Sequence, residues 1–212
     1  MTRSAAANIG AMALGALLAI GGCAPREAPS RFYVLTPVAA GAPMVDRPAS
    51  GAAATAPAPA DARPPTVGVG PVRLPGYLDR PQIVTRKSPD QVDLGEFDRW
   101  AEPLADAIPR TVAENLAALL PNERVALFPW AGPRSIAYQV LVDVARFDGA
   151  PGGDVVLEGS WRILGPDRKD LAERRFAITE ACGGPGYPPL VAAMSRALGA
   201  LSRDIAAALP AR

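Results

Sequence analysis

The feature that most constrains the fold of this chain is a periodic apolar stripe within the stretch 77–120. Large apolar residues recur there every three to four positions, which is the spacing of one face of an α-helix. Asp98 has a side chain suited to capping a helix N-terminus, and Pro103 is tolerated in a first turn. We therefore predict an amphipathic helix that begins near Asp98 and covers a sheet. Its apolar stripe consists of Trp100, Leu104, Ile108, Val112, Leu116 and Leu119.

The opposite side of this predicted helix carries charged residues four positions apart. Side chains at this spacing lie one turn from each other, so we expect the ion pairs Asp106–Arg110 and Arg110–Glu114. Pro109 removes one backbone hydrogen bond and is expected to bend the helix. The charged residues are Glu102, Asp106, Arg110 and Glu114.

Residues 1–22 have the composition of a signal peptide. Arg3 supplies a positive charge, and the apolar run over 9–20 is too short for a permanent membrane span. The run ends in Gly-Gly-Cys, and small residues before a cysteine are what a lipoprotein signal peptidase requires. We predict that Cys23 is acylated and that 23–30 is the lipid tether. The alternative is a secreted protein whose Cys23 is a free thiol or half of a disulfide.

The residue after Cys23 indicates the compartment. It is Ala24, whereas an aspartate at this place would retain a lipoprotein in the inner membrane. We therefore predict an outer-membrane lipoprotein that faces the periplasm. Cys182 lies in a glycine-rich loop, and we expect it to be a small buried residue, with an intermolecular disulfide as the alternative.

Composition excludes several classes of function. The chain has 22 Lys and Arg residues against 21 Asp and Glu residues and no basic block, so nucleic acid is not expected as a partner. It contains no histidine, which excludes Ser-His-Asp and Cys-His catalysis and leaves any zinc site without imidazole. Gly68-x-Gly70 is too short for a phosphate-binding loop. The sequence thus offers no candidate catalytic, cofactor or metal site.

The rest of the chain is typical of short strands and one more helix. Residues 37–65 are rich in alanine and proline and are predicted to form a disordered insertion. The glycines of the strand after it allow a close backbone approach. A loop is predicted over 148–154, and a helix with a second apolar stripe over 188–209. The predicted strands are 31–36, 66–72, 82–86, 124–128, 136–147, 155–164 and 173–180.

These elements predict a fold of the α/β (α+β) class in a single domain over 31–212. We expect a two-layer sandwich, with a mostly antiparallel sheet of about six or seven strands and two long amphipathic helices on one face. The last three strands, joined by short turns, are predicted to form an antiparallel meander.

Four segments together resemble the PqiC (YmbA-type) ABC-transport auxiliary lipoproteins. They are Cys23, the Phe-Tyr-Val-Leu of 32–35, the segment VGPVRLPGYLDRPQ of 69–82, and RWAEPL of 99–104. The resemblance implies a non-catalytic outer-membrane lipoprotein in an envelope lipid-transport or membrane-integrity system. The implied partners are an MCE-domain protein that spans the periplasm and an inner-membrane component. Whether copies of the chain also form a homo-oligomer is left open. The alternative is an assembly lipoprotein that tethers a complex without a role in transport.

Two of these segments contain a candidate interface. An aromatic residue and an arginine on a rim are residue types that anchor protein interfaces, so we expect a contact with a neighbouring copy or the MCE-type partner. The structural alternatives are packing by the aromatic residues, a self-satisfied Asp-Arg turn, and an ion pair between Arg99 and Glu102. The candidate interface residues are Tyr77, Asp79, Arg80, Arg99 and Trp100.

Overall fold

The computed structural model describes residues 29–38, 66–120, 123–130 and 136–210. The predicted signal peptide, Cys23 and the predicted insertion beyond Val38 lie outside the described residues. The described elements, in chain order, are β1 (Arg31–Tyr33), β2 (Thr66–Arg73), β3 (Gln82–Ser88), β4 (Gln91–Trp100), α1 (Leu104–Leu119), β5 (Arg124–Leu127), β6 (Tyr138–Gly149), β7 (Asp154–Leu164), β8 (Asp170–Ala181) and α2 (Tyr187–Ala208).

The strands form two sheets. Sheet A has the order β1-β4-β3, and sheet B has the order β5-β2-β6-β7-β8. The pairs β1–β4, β2–β5 and β2–β6 are parallel, whereas β3–β4, β6–β7 and β7–β8 are antiparallel. The predicted mixture of helices and strands is confirmed, but the prediction of one mostly antiparallel sheet of six or seven strands is wrong. Parallel pairing joins segments far apart in sequence, which alternation within one strand does not encode.

The predicted meander β6-β7-β8 is confirmed. Val140 pairs with Ile163, and Val142 pairs with Trp161. All four side chains are buried, as the alternation along the two strands predicts. The loop between β6 and β7 is shorter than predicted, because Asp148 belongs to β6.

The prediction that a helix begins near Asp98 is wrong. The residues before α1 form β4, which pairs with β3 through a turn at Pro89 and Asp90, and α1 begins only after Pro103. Asp98 does not cap a helix because its carboxylate accepts hydrogen bonds from Arg31 and Tyr33 of β1. These long-range partners hold Asp98 in sheet A.

The helical stripes pack into the core together with the buried residues of the strands. Both helices contact each other and strands of sheet B, and the Trp161 indole nitrogen of β7 donates to Asp204 of α2 at 2.8 Å. Leu119 is half-buried, and Trp100 is buried on β4 instead of on the helix. The other predicted stripe residues of α1 are buried, as are most of those of α2: Leu104, Ile108, Val112, Leu116, Leu190, Met194, Leu198, Leu201 and Ile205.

Candidate functional site

The first described residues are fixed to the domain by a buried carboxylate. Arg31 donates from Nε at 2.8 Å and from Nη2 at 2.7 Å to Asp98, and the Tyr33 hydroxyl donates to Asp98 at 2.8 Å. Asp98 is only 4% exposed. A bidentate arginine–carboxylate pair is both strong and directional. The strand that follows the predicted lipid tether is therefore held in one orientation.

The chain then continues as an extended strap, residues 34–38, over the two helices. The predicted strand 31–36 is thus too long, because only 31–33 pair in the sheet. Leu35 is buried, the Thr36 amide donates to the Ser195 hydroxyl at 3.2 Å, and the Val38 amide donates to the Asn115 side chain at 2.8 Å. The buried side chains of Ser195 and Asn115 thus supply the acceptors that a neighbouring strand would otherwise provide.

A second buried carboxylate lies between the two sheets. Asp148 is fully buried and accepts two hydrogen bonds from Arg86, one from Arg146 at 2.9 Å and one from the Tyr77 hydroxyl at 3.0 Å. Burial would raise the pKa of Asp148, but hydrogen bonds from Arg86, Arg146 and Tyr77 outweigh it and leave the pKa below its ordinary value of 3.8. The carboxylate is therefore ionised and structural.

This cluster places Tyr77 apart from the other candidate interface residues. Its ring lies 5.9 Å from the Arg86 guanidinium, and burial, followed by the charge of Asp148, raises the pKa of the Tyr77 hydroxyl. Tyr77, Arg86 and Arg146 line a cavity of about 550 Å³. These contacts support the interpretation of Tyr77 as a packing residue.

Three candidate interface residues, Asp79, Arg80 and Trp100, line one cavity of about 320 Å³. The Trp100 amide donates to the Pro81 carbonyl at 2.7 Å, which brings the two sequence segments together. Trp100 is 5% exposed and forms a buried wall. The remaining wall comes from Pro81, Ala101, Glu102 and Pro103.

Arg80 is the unusual group in this cavity. Its Nε atom is buried and has no hydrogen-bond acceptor in the described part of the chain. The expected pairing of Asp79 with Arg80 is not formed among the described residues, since neither side chain has an ion-pair partner there. A buried donor without an acceptor is costly and rare in folded proteins. An acceptor from a binding partner would satisfy it.

Arg99 and Glu102 do not form the predicted ion pair. Arg99 lies on β4, and its Nε is 3.5 Å from the Glu96 carbonyl. Glu102 instead accepts from Arg110 at 2.5 Å, and Arg110 also contacts Glu114 at 3.3 Å. The Arg110–Glu114 pair is confirmed, whereas Glu102 takes the place predicted for Asp106. The cause is the late start of α1, which leaves Glu102 free to fold back on the helix.

Two further expectations concern cysteine and metals. Cys182 is buried, its thiol lies 3.5 Å from the Ala150 carbonyl, and burial raises its pKa, so the predicted small buried residue is confirmed. Among the described residues, no group of three or more His, Cys, Asp and Glu side chains is placed to hold a metal ion. Neither described helix is long and apolar enough to cross a membrane.

Sequence reasoning missed Asp98 and Asp148 as buried acceptors. Asp98 matched the composition of a helix cap, and Asp148 precedes a glycine as in many turns. An available signal was the set of arginines in or beside extended segments, Arg31, Arg86 and Arg146, because an acid that is buried must be paired with such cations.

The fold defines a class of α+β domain seen in other proteins. A crystal structure of an uncharacterized protein matches with a TM-score of 0.68 and 21% identity over 86% of this chain and 100% of that chain. The structure of protein XCC0632 from Xanthomonas campestris matches with a TM-score of 0.57 and 19% identity over 82% of this chain and 92% of that chain.

The family is shown by sequence. The model of the family described as "ABC-type transport auxiliary lipoprotein component" matches residues 49–206, and the chain belongs to this family. It is 27% identical over 120 residues to "Intermembrane transport lipoprotein PqiC" from Escherichia coli (strain K12) and from Shigella flexneri. The match covers 57% of this chain and spans 62% of the length of those relatives. The resemblance to PqiC-type lipoproteins is thereby confirmed.

Proposed function

We propose that the chain is a non-catalytic lipoprotein, held in the outer membrane by acylated Cys23, that serves an MCE-type envelope system for lipid transport and membrane integrity. The family and the relatives named for intermembrane transport support this role. The specific partners are an MCE-domain protein that spans the periplasm and an inner-membrane component.

The observation that carries the proposal is the docking of residues 31–38 on the domain. Cys23 and Arg31 are eight residues apart, so even a fully extended tether reaches only roughly 28 Å. Arg31, Tyr33 and Leu35 are then bound to the domain by side-chain hydrogen bonds and burial. The domain therefore stays beside the membrane that holds its anchor, and a partner must come to it.

The absence of a catalytic role is supported by the state of the buried acids. Asp98 and Asp148 are each bound by arginine side chains, and the pKa of Asp148 lies below its ordinary value. A buried acid that serves in proton transfer needs a pKa near the working pH instead. These carboxylates stabilise the fold, and the chain contains no histidine to act in their place.

The partner contact is proposed at the Arg80 cavity. Arg80 has a buried donor without an acceptor, and Asp79 and Trp100 complete a small concave surface. A carboxylate or carbonyl from the MCE-type partner or from a neighbouring copy would satisfy the guanidinium, and Trp100 would supply apolar contact. Arg99, on the opposite face of β4 from Trp100, and Tyr77, which is bound to Asp148, do not line this cavity and are not part of the proposed contact.

The test is capture of partners from membranes. The tagged full-length lipoprotein is crosslinked in cells, purified and analysed by mass spectrometry, and we expect an MCE-domain protein among the captured chains. Capture that repeatedly lacks any MCE-domain protein would show that the assignment of the system is wrong. Movement of labelled phospholipid between the membranes, unchanged in cells that lack the lipoprotein, would instead support the tethering role.

The interface is tested with a matched pair of arginine variants. Arg80→Gln removes the charge at the cavity, and Arg175→Gln removes an exposed charge on β8. We expect Arg80→Gln to reduce capture at least several-fold, with Arg175→Gln unchanged, because only Arg80 has the unsatisfied donor. Equal capture by both variants, with similar thermal unfolding, places the interface elsewhere.

A further inference from the structure

The first described segment of the chain has an apolar outer face. Phe32 is 63% exposed and Val34 50%, and the alternating Tyr33 and Leu35 are turned toward the domain. Phe32 and Val34 are among only seven large apolar residues exposed in the described part of the chain. Exposed apolar residues scattered singly need no explanation, but a cluster of them marks an interaction surface.

A cation lies beside this apolar face. Phe32 is aligned with Arg99 in the parallel pairing of β1 with β4, and aligned residues of neighbouring strands lie on the same face of a sheet. Among the described residues Arg99 forms no ion pair, and its side chain donates one hydrogen bond, from Nε to the Glu96 carbonyl at 3.5 Å. Apolar side chains enter the headgroup boundary of a membrane, and an arginine beside them is attracted to anionic phospholipid.

We propose that Phe32 and Val34 seat the domain on the anionic phospholipid surface of the membrane that holds its anchor. This inference rests on the proposed function, since it requires acylated Cys23. Phe32 follows Cys23 by nine residues, so the two are at most roughly 30 Å apart along the chain. Phe32 and Val34 are thus the first exposed large apolar side chains after the anchor that the structure describes.

This contact with the membrane also orients the domain. Arg31 and Tyr33 are bound to Asp98, so β1 cannot turn independently of sheet A, and contact at Phe32 fixes the domain as a whole. Arg99 and Trp100 are neighbours on β4 and therefore lie on opposite faces of the strand. The Arg80 cavity, whose wall is Trp100, is thus left open to the periplasm when the Arg99 face rests on lipid.

The experiment measures how deeply single positions enter the lipid. The full-length acylated protein is reconstituted in vesicles of phosphatidylethanolamine and phosphatidylglycerol at about 3:1, and Phe32→Cys, Val34→Cys and Leu171→Cys variants are labelled with an environment-sensitive fluorophore. Leu171 is the matched control, because it is 51% exposed but lies on β8 of the other sheet. Label enters the introduced cysteine, since Cys23 is acylated and Cys182 is buried.

Quenching by lipid that carries a nitroxide on its acyl chain is then compared between positions. We expect quenching at 32 and 34 to be at least twofold stronger than at 171, and to weaken when phosphatidylglycerol is omitted. Equal quenching at 32, 34 and 171 overturns the proposal. Protection from the lipid quencher together with disulfide-linked dimers of Phe32→Cys overturns it as well, because a second copy then covers the face. Flotation of the protein with the vesicles tests separately whether the protein is anchored by its lipid. A protein that is not acylated is thereby distinguished from an acylated protein whose Phe32 and Val34 do not contact the lipid.

Discussion

Arg86 of β3 and Asp148 of β6 join the two sheets. The guanidinium donates from Nε at 2.8 Å and from Nη2 at 2.7 Å to a carboxylate that is fully buried. Tyr77 and Arg146 bind the same carboxylate, so every partner of Asp148 comes from the region where sheet A meets sheet B. Because a buried charge is tolerated only when it is paired, this cluster determines how the two sheets pack.

Loss of the Arg86 guanidinium should therefore destabilise the domain strongly. We expect Arg86→Met to lower the free energy of unfolding by about 3–5 kcal/mol, because it leaves a buried carboxylate without its bidentate partner. The neighbouring variant Lys87→Met is the control, since Lys87 and Asp93 form an exposed pair at 3.8 Å that contributes less than about 1 kcal/mol. Urea unfolding followed by tryptophan fluorescence measures both, and equal losses would contradict the structural role of Asp148.

The same cluster predicts a dependence on pH. The pKa of Asp148 in the folded protein lies below the ordinary 3.8, so the unfolded chain takes up a proton on this group first as the pH falls. Its stabilising contribution is complete above about pH 5 and decreases as the pH falls through 3.8 towards the folded pKa. The difference in unfolding free energy between the native protein and Asp148→Asn should stay constant from pH 7 to about 5 and shrink below about 4. A difference that grows in acid would mean that Asp148 is protonated in the folded state.

Local patterns predicted those parts of the fold that depend on neighbours in sequence. The stripe of Ile108, Val112 and Leu116 is buried because one helix face must cover the sheet, and the meander β6-β7-β8 follows from strands joined by short turns. The predicted start of α1 near Asp98 was wrong because the Asp98 carboxylate pairs with the Arg31 guanidinium instead of capping a helix. That partner is 67 residues away in sequence.

The candidate site was predictable to a similar extent. Asp79, Arg80 and Trp100 meet in one cavity because β3 and β4 pair and Trp100 binds the Pro81 carbonyl. The role of Tyr77 could not be predicted, because it depends on Asp148, whose place before a glycine is typical of a turn. Long-range electrostatic pairs thus account for the differences at Asp98 and Tyr77, as parallel pairing of distant segments does for the sheets.

The glycines of β2 provide a test of close packing. A Cβ atom at Gly68 would lie 2.4 Å from the Trp130 ring and 2.9 Å from Ile136, which is the close approach that the sequence predicts for this strand. We expect Gly68→Ala to cost about 1–3 kcal/mol of stability, because the indole must move from its place on the strand. Gly76→Ala is the control, since no atom lies within 4 Å of the added Cβ, and it should leave the thermal midpoint nearly unchanged. A neutral Gly68→Ala would show that Trp130 does not pack on β2 in solution.

The lipid anchor is tested by the two cysteines of the chain. We expect Cys23→Ala to leave an uncleaved precursor that incorporates no labelled palmitate and is absent from the outer-membrane fraction, because acylation requires the thiol. Cys182→Ser is the matched control and should remain acylated and membrane-bound, since Cys182 is buried beside the Ala150 carbonyl. The thermal midpoint of the Cys23→Ala domain should equal that of the native protein, because the contacts that hold the strap begin at Arg31. Normal outer-membrane fractionation and lipid labelling of Cys23→Ala would exclude the lipoprotein anchor at this position, and with it the membrane seat at Phe32.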